Sequence, residues 1–214
     1  MGAMLLALAL IALAIGISAN KADAATNIVT KTFSKPAKIS IPAGAVLPGC
    51  TTDINSVGEA SPYPSKKIVS AFPAGSHIRD VNLTLKNFTD HNSPKDVDVL
   101  LVHGGRNRTV MSDVGGGTPV SNINLLLNDE ANSPLPDDGL AGGSFKPRNA
   151  DGNSGSGDFF PSPAPAPDAR SALSGFDGQN PNKTWSLFVR DDFSFDCGEF
   201  GGGWSIRIKA AVPQ

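Results

Sequence analysis

Apolar and polar side chains alternate with a period of two along most of this chain. From Thr184 to Arg190, Trp185, Leu187 and Val189 share one face. From Gly203 to Lys209, Trp204, Ile206 and Ile208 share one face, with Ser205, Arg207 and Lys209 opposite. A strand sends successive side chains to opposite sides, so each such segment has one face to bury and one to solvate. The pattern recurs at His77–Phe88, where Ile78, Val81, Leu83 and Leu85 alternate with Asn82, Thr84 and Lys86. Shorter candidates are Asn27–Phe33, Ala37–Ile41, Lys66–Phe72, Arg108–Ser112 and Asn122–Asn128. Asp96–His103 is denser in apolar residues, as expected of a central strand covered on both faces. No stretch after residue 24 keeps a 3.6-residue period for three turns. A chain so patterned closes a core by packing sheet on sheet, so an all-β, two-sheet antiparallel sandwich or barrel is expected.

The end of the chain reads as a hairpin, two matching strands around the Asp- and Gly-rich stretch Asp191–Gly202. The stretch from Asn132 to Pro181 is rich in Pro and Gly, and includes Pro161-Ser162-Pro163-Ala164-Pro165-Ala166-Pro167. Phe145, Phe159, Phe160 and Phe176 distinguish it from a disordered linker. It is expected to cross the sandwich as a packed connection, with a short strand at Gly143–Phe145.

Leu5 to Ile17 is an apolar run of signal-peptide length, followed by Ala22-Asp23-Ala24. Residues 1–24 are therefore read as a signal peptide, cleaved after Ala24 or one residue later. Met1–Met4 carries no Lys or Arg, and Lys21 follows the apolar run. Contact with a membrane is expected only if that segment stays uncleaved as an anchor. The destination is the secreted fraction or the cell envelope. The expected mature unit, 25–214, is one domain: strands and a loop over 25–62, then the sandwich proper over 63–214. Its formal net charge of −2 gives no general attraction to nucleic acid. Cys50 and Cys197 fall in the exported part, where a disulfide between them would persist and add about 4–5 kcal/mol in a chain-entropy account.

Gly175-Phe176-Asp177-Gly178-Gln179-Asn180-Pro181-Asn182-Lys183-Thr184-Trp185-Ser186-Leu187-Phe188-Val189-Arg190-Asp191 resembles the pattern F-x-G-x-x-P-x-G-x-W-x-L-x-V-x-D of the P domain that accompanies subtilisin-like proprotein convertases. Gly203-Trp204-Ser205-Ile206-Arg207-Ile208 is similar to that family's closing W-S-L-x-L strand. Asp96–Val102 with Gly104-Gly105-Arg106 is similar to its D-L-x-I-x-L-x-S-P-x-G segment, and Asn128-Asp129-Glu130-Ala131 to the D-D-E-A turn of its bacterial branch. Lys183 stands where the family usually has Gly, and His103-Gly104 where Ser-Pro is common. The resemblance covers roughly Tyr63 to Ile208. It implies a galactose-binding-like jelly roll, often calcium-binding, that supports a secreted subtilisin-like or metallopeptidase. A carbohydrate-binding jelly roll facing a cell-surface glycan, and a hydrolase accessory or cryptic hydrolase, are the alternatives.

Nothing in the pattern favours catalysis. His103-Gly104-Gly105-Arg106 is only distantly similar to an esterase oxyanion loop. Its would-be nucleophile elbow, Gly152-Asn153-Ser154-Gly155-Ser156-Gly157, has Ser where the final Gly belongs. His103 is expected at a strand end facing solvent. Calcium requires several carboxylates on loops. Asp96, Asp98, Asp113, Asp129, Glu130 and Asp192 lie at expected strand ends, and a pole where such ends converge would hold acids whose repulsion a divalent cation relieves. Asp98, Asp113 and Asp129 are the preferred ligands. Phe193, Phe195 and Phe200 form either an exposed contact patch or packing beneath their loop. Trp185 and Trp204 belong to the core by their period.

Overall fold

The computed structural model describes residues 26–42, 57–150, 158–168 and 170–214. The signal-peptide segment, Cys50 and the Gly152–Gly157 motif lie outside the described residues. In chain order the strands are β1 (Thr26–Lys35), β2 (Ile39–Ile41), β3 (Gly58–Glu59), β4 (Ser65–Val69), β5 (His77–Thr89), β6 (Val97–His103), β7 (Arg106–Ser112), β8 (Ile123–Leu127), β9 (Gly143–Phe145), β10 (Arg148–Asn149), β11 (Lys183–Asp191), β12 (Gly198–Phe200) and β13 (Trp204–Pro213). Two short 3₁₀ turns, Pro94–Asp96 and Leu173–Phe176, complete the regular structure.

These strands form the expected two-sheet sandwich. One sheet runs β1-β13-β5-β12-β2, with β8 also on β5 and β9 on β8; the other runs β10-β7-β6-β11-β3, with β4 also on β11. Most pairs are antiparallel, but β8 with β9 and β7 with β10 are parallel, so both sheets are mixed. Both parallel partners come from the Pro- and Gly-rich connection, which adds short strands to sheet edges. The N-terminal strand is integral to the fold, because β1 pairs with β13 from Thr26↔Pro213 to Lys35↔Trp204. β6, between β7 and β11, is covered on both faces, as its apolar density requires.

The apparent C-terminal hairpin is not one. β11 pairs with β3, β4 and β6, whereas β13 pairs with β1 and β5 in the opposite sheet. Period two identifies which face is buried but not which strand lies alongside. Trp185 and Trp204, both fully buried, belong to one apolar cluster that takes residues from both sheets. The Trp204 indole N–H donates to Ser65 Oγ at 2.9 Å, which ties β13 to β4 across the core. His103 also departs from expectation. It is buried, stacked on Trp185 at 3.8 Å between ring centroids, with its nitrogens facing the carbonyls of Thr184 and Asn180. Burial pushes its pKa below the usual imidazole value.

Lys183 begins β11 at φ 115°, where an L side chain crowds its own backbone. Its strain is a local cost that glycine would not carry. Lys183→Gly is expected to stabilise the protein by about 1 kcal/mol, the relief of roughly 1–2 kcal/mol of steric cost less the added unfolded-chain entropy. A melting temperature about 2–4 °C higher is the readout.

Candidate functional site

Strand direction decides which acids meet. β6 begins where β11 ends, since Asp191 pairs with Val97, and β7 ends at the same level, since Met111 pairs with Val99. β5 arrives at this pole too, placing His91 against Asp191. Asp96, Asp98, Asp113, Asp191 and Asp192 are therefore gathered at one end of the sandwich.

Carboxylate oxygens of Asp98, Asp113 and Asp158 all lie within 4.8 Å of one another. Asp98 is 2% exposed. Ser112 Oγ lies 2.9 Å from Asp113 Oδ2 and 2.6 Å from Asp158 Oδ1, and its one proton can serve only one of them. Asn149, held beside Ser112 by the β7–β10 pair, donates from Nδ2 to Asp158 Oδ2 at 2.7 Å. Its Oδ1 is buried with no hydrogen-bond partner. Asp113 takes φ 55°, tolerable for Asp, and this turn ends β7.

Electrostatics follow from the crowding. The Asp98 pKa is pushed well above the usual carboxylate range, first by burial and then by Asp158, Asp192 and Asp113. Asp192 reaches solvent, yet partial burial and the charges of Asp113 and Asp96 raise it to about 6, with Arg190 pulling the other way. Crowded carboxylates either keep protons or take up a cation. The donors here are all oxygens, from three carboxylates with a fourth nearby, one hydroxyl and an orphaned amide oxygen. That set suits calcium, which takes six to eight oxygen ligands at about 2.3–2.6 Å and completes its shell with water.

The structure thus brings together Asp98, Asp113 and Asp192 among the expected ligands, with Asp96 alongside: the Asp96 carbonyl accepts the Asp192 N–H at 2.9 Å. It separates Asp129 and Glu130. β8 runs antiparallel to β5, pairing Ile123 with Phe88 and Leu127 with Leu83, so it leads away from the acidic pole. Asp129 instead accepts the N–H groups of Leu173 and Ser174 at 2.9 and 2.7 Å, capping a 3₁₀ turn, and Glu130 is exposed. Asp158 joins the cluster from the long connection, where no strand end marks it in the sequence. The usable signal is its neighbour Phe160, buried against Leu100 and Phe188, which pins that connection beside β6 and β11.

The aromatic trio divides. Phe193 and Phe195 are exposed, with ring centroids 6.3 Å apart, whereas Phe200 is fully buried against Phe88. Cys197 is buried, while its expected partner Cys50 falls among the residues not described. No helix among the described residues is long and apolar enough to cross a membrane.

Fold and site together define a class, an all-β two-sheet sandwich with an acidic pole built from strand ends. Comparison with protein-family models, with curated proteins and with solved structures gives no match.

Proposed function

We propose that this chain is an exported, non-catalytic, P-domain-like jelly roll that serves as a binding or stabilising module for a secreted peptidase, with calcium held at its acidic pole. The observation that carries the reading is the crowding of Asp98, Asp113 and Asp158 around the single hydroxyl of Ser112. Asp98, Asp113 and Asp158 would bind the ion directly, with Asp192 and the amide oxygen of Asn149 as further donors. Bound there, calcium would join the ends of β6 and β7 to the long connection and fix the loop that follows β11.

Four further observations support the reading. The backbone at Lys183 takes a φ that favours glycine, the residue that the P-domain pattern usually has at that place. Trp185 and Trp204 are both buried, which removes the obvious sugar-stacking platform. His103, the only histidine in a catalysis-like motif, is enclosed by Trp185 and backbone carbonyls. Phe193 and Phe195 present an apolar contact beside the acidic pole, the kind of surface through which a module holds a partner.

Immobilised mature protein, exposed to the secreted proteins of its own source, is expected to retain peptidase activity in calcium and to release it in chelator. Retention of no peptidase, together with specific binding on a glycan array, would replace this reading by the carbohydrate-binding one.

A further inference from the structure

Beside the oxygen-only cluster lies a second group of different chemistry. His91 follows β5, and its ring is fully buried. Its Nε2 is 3.3 Å from Asp191 Oδ2, and its Nδ1 is 3.7 Å from Asp196 Oδ2. Ligand atoms from these three residues all lie within 4.8 Å of one another. Asp191 and Asp196 are buried as well.

The surroundings fix the ring and both carboxylates. A Cβ added at Gly198 would come within 2.8 Å of His91 Cβ and 2.7 Å of the Thr89 carbonyl, so the chain is packed directly against the imidazole. Phe88 covers it from another side, at 5.8 Å between ring centroids. The Phe193 N–H donates to Asp191 Oδ1 at 3.1 Å, leaving Oδ2 turned to the ring. The Ser93 N–H also hydrogen-bonds the Asp196 carboxylate.

One atom in this arrangement is unaccounted for. His91 Nδ1 is buried, makes no hydrogen bond and points at a carboxylate oxygen too distant to accept one. A buried ring nitrogen without a partner is costly. A cation seated between Nδ1 and Asp196 would satisfy it. In tetrahedral coordination with bonds of about 2.0–2.1 Å, neighbouring ligand atoms are about 3.3–3.5 Å apart; Nδ1 and Asp196 Oδ2 are 3.7 Å apart, so a shift of a few tenths of an ångström seats the ion. Charge agrees: one neutral imidazole and two carboxylates are balanced by a divalent ion, whereas a protonated imidazole balances only one carboxylate.

We propose that His91, Asp191 and Asp196 form a second metal site, selective for zinc or a similar borderline-soft divalent cation, with water in the remaining position. Imidazole nitrogen suits zinc and the later first-row metals, while calcium requires an all-oxygen shell of higher number. The site lies under the Asp192–Cys197 loop that carries Phe193 and Phe195, so the metal would tie the end of β5 to the base of the exposed aromatic pair. It does not depend on the calcium reading, because its ligands are different residues.

The test uses the exported protein with its cysteines oxidised, unfolded in chelator, freed of the chelator and refolded with zinc or cobalt(II) in saturating calcium. One zinc per chain is expected to survive gel filtration, and the cobalt form is expected to show visible absorption bands of a low-coordinate nitrogen–oxygen site. His91→Gln, which keeps the volume and removes the ring nitrogens, is expected to weaken zinc binding at least 100-fold. Glu130→Gln, at an exposed acid away from both clusters, is expected to leave zinc binding unchanged. Asp196→Asn, a smaller perturbation, gives the same answer if the His91 variant fails to fold. Absence of retained zinc and of cobalt bands in the wild-type protein would overturn the proposal, as would equal zinc binding by Asp196→Asn.

Discussion

Replacing Trp204 by alanine is expected to cost about 4 kcal/mol and to lower the melting temperature by roughly 8–16 °C. Two losses add. The indole is fully buried in the cluster that both sheets share, so its removal leaves a cavity as well as forfeiting burial. Its N–H is also the partner of Ser65 Oγ, which would be left in the core without it. The change acts on the contact between sheets rather than on either sheet alone. Thermal unfolding followed by far-ultraviolet circular dichroism checks this. A fall of less than about 2 °C would mean that Trp204 does not join the two layers. Trp204→Phe should recover part of the loss, since it refills most of the volume but not the hydrogen bond.

Calcium is expected to raise the melting temperature by about 5–11 °C at neutral pH, when present at roughly 100 times its dissociation constant, which corresponds to about 2.7 kcal/mol. The increment should depend on pH in a definite direction. Asp98 and Asp192 have folded-state pKa values above the usual carboxylate range, Asp192 at about 6. The folded protein therefore binds more protons than the unfolded chain between about pH 4 and the raised values. Without calcium, stability is fully present below that window and falls as pH rises through it. Calcium binds the ionised form, so its increment should be small near pH 4 and full above pH 7. Melting curves in calcium and in chelator, from pH 4 to 8, check both signs. A calcium increment that is the same at pH 4.5 and pH 7.5 would separate the stabilisation from these carboxylates.

Much of the sandwich is legible in the sequence, because period two leaves a mark on every long strand. β5, β6, β8 and β13 all lie within a few residues of where alternation places them. Pairing leaves no such mark. Trp185, Leu187 and Val189 present the same signal as Trp204, Ile206 and Ile208, yet the two strands sit in different sheets and meet only across the core. The same blindness governs the site. Strand ends rich in Asp are visible, but which pole each end reaches depends on strand direction. Asp98, Asp113 and Asp192 reach the acidic pole, whereas Asp129 follows a strand that leads away and caps a turn instead. Asp158 and His91 are harder still. Asp158 is delivered by an irregular connection anchored through Phe160, and His91 lies beyond a strand end with neither metal-motif spacing nor nearby cysteine. Long-range packing alone brings them to their partners.

Direct calcium binding by equilibrium dialysis, compared between the wild-type protein and Asp98→Asn, tests the acidic pole most plainly. Asp98→Asn removes the most deeply buried charge of the cluster while keeping its shape. A single calcium per wild-type chain is expected, with a dissociation constant of roughly 0.1–1 mM, as is usual for extracellular modules, and at least tenfold weaker binding by the variant. In chelator the variant should be the more stable of the two, because it no longer confines a crowded carboxylate. No binding by the wild-type protein at about 10 mM calcium, or equal binding by both proteins, would rule out a calcium site at the acidic pole.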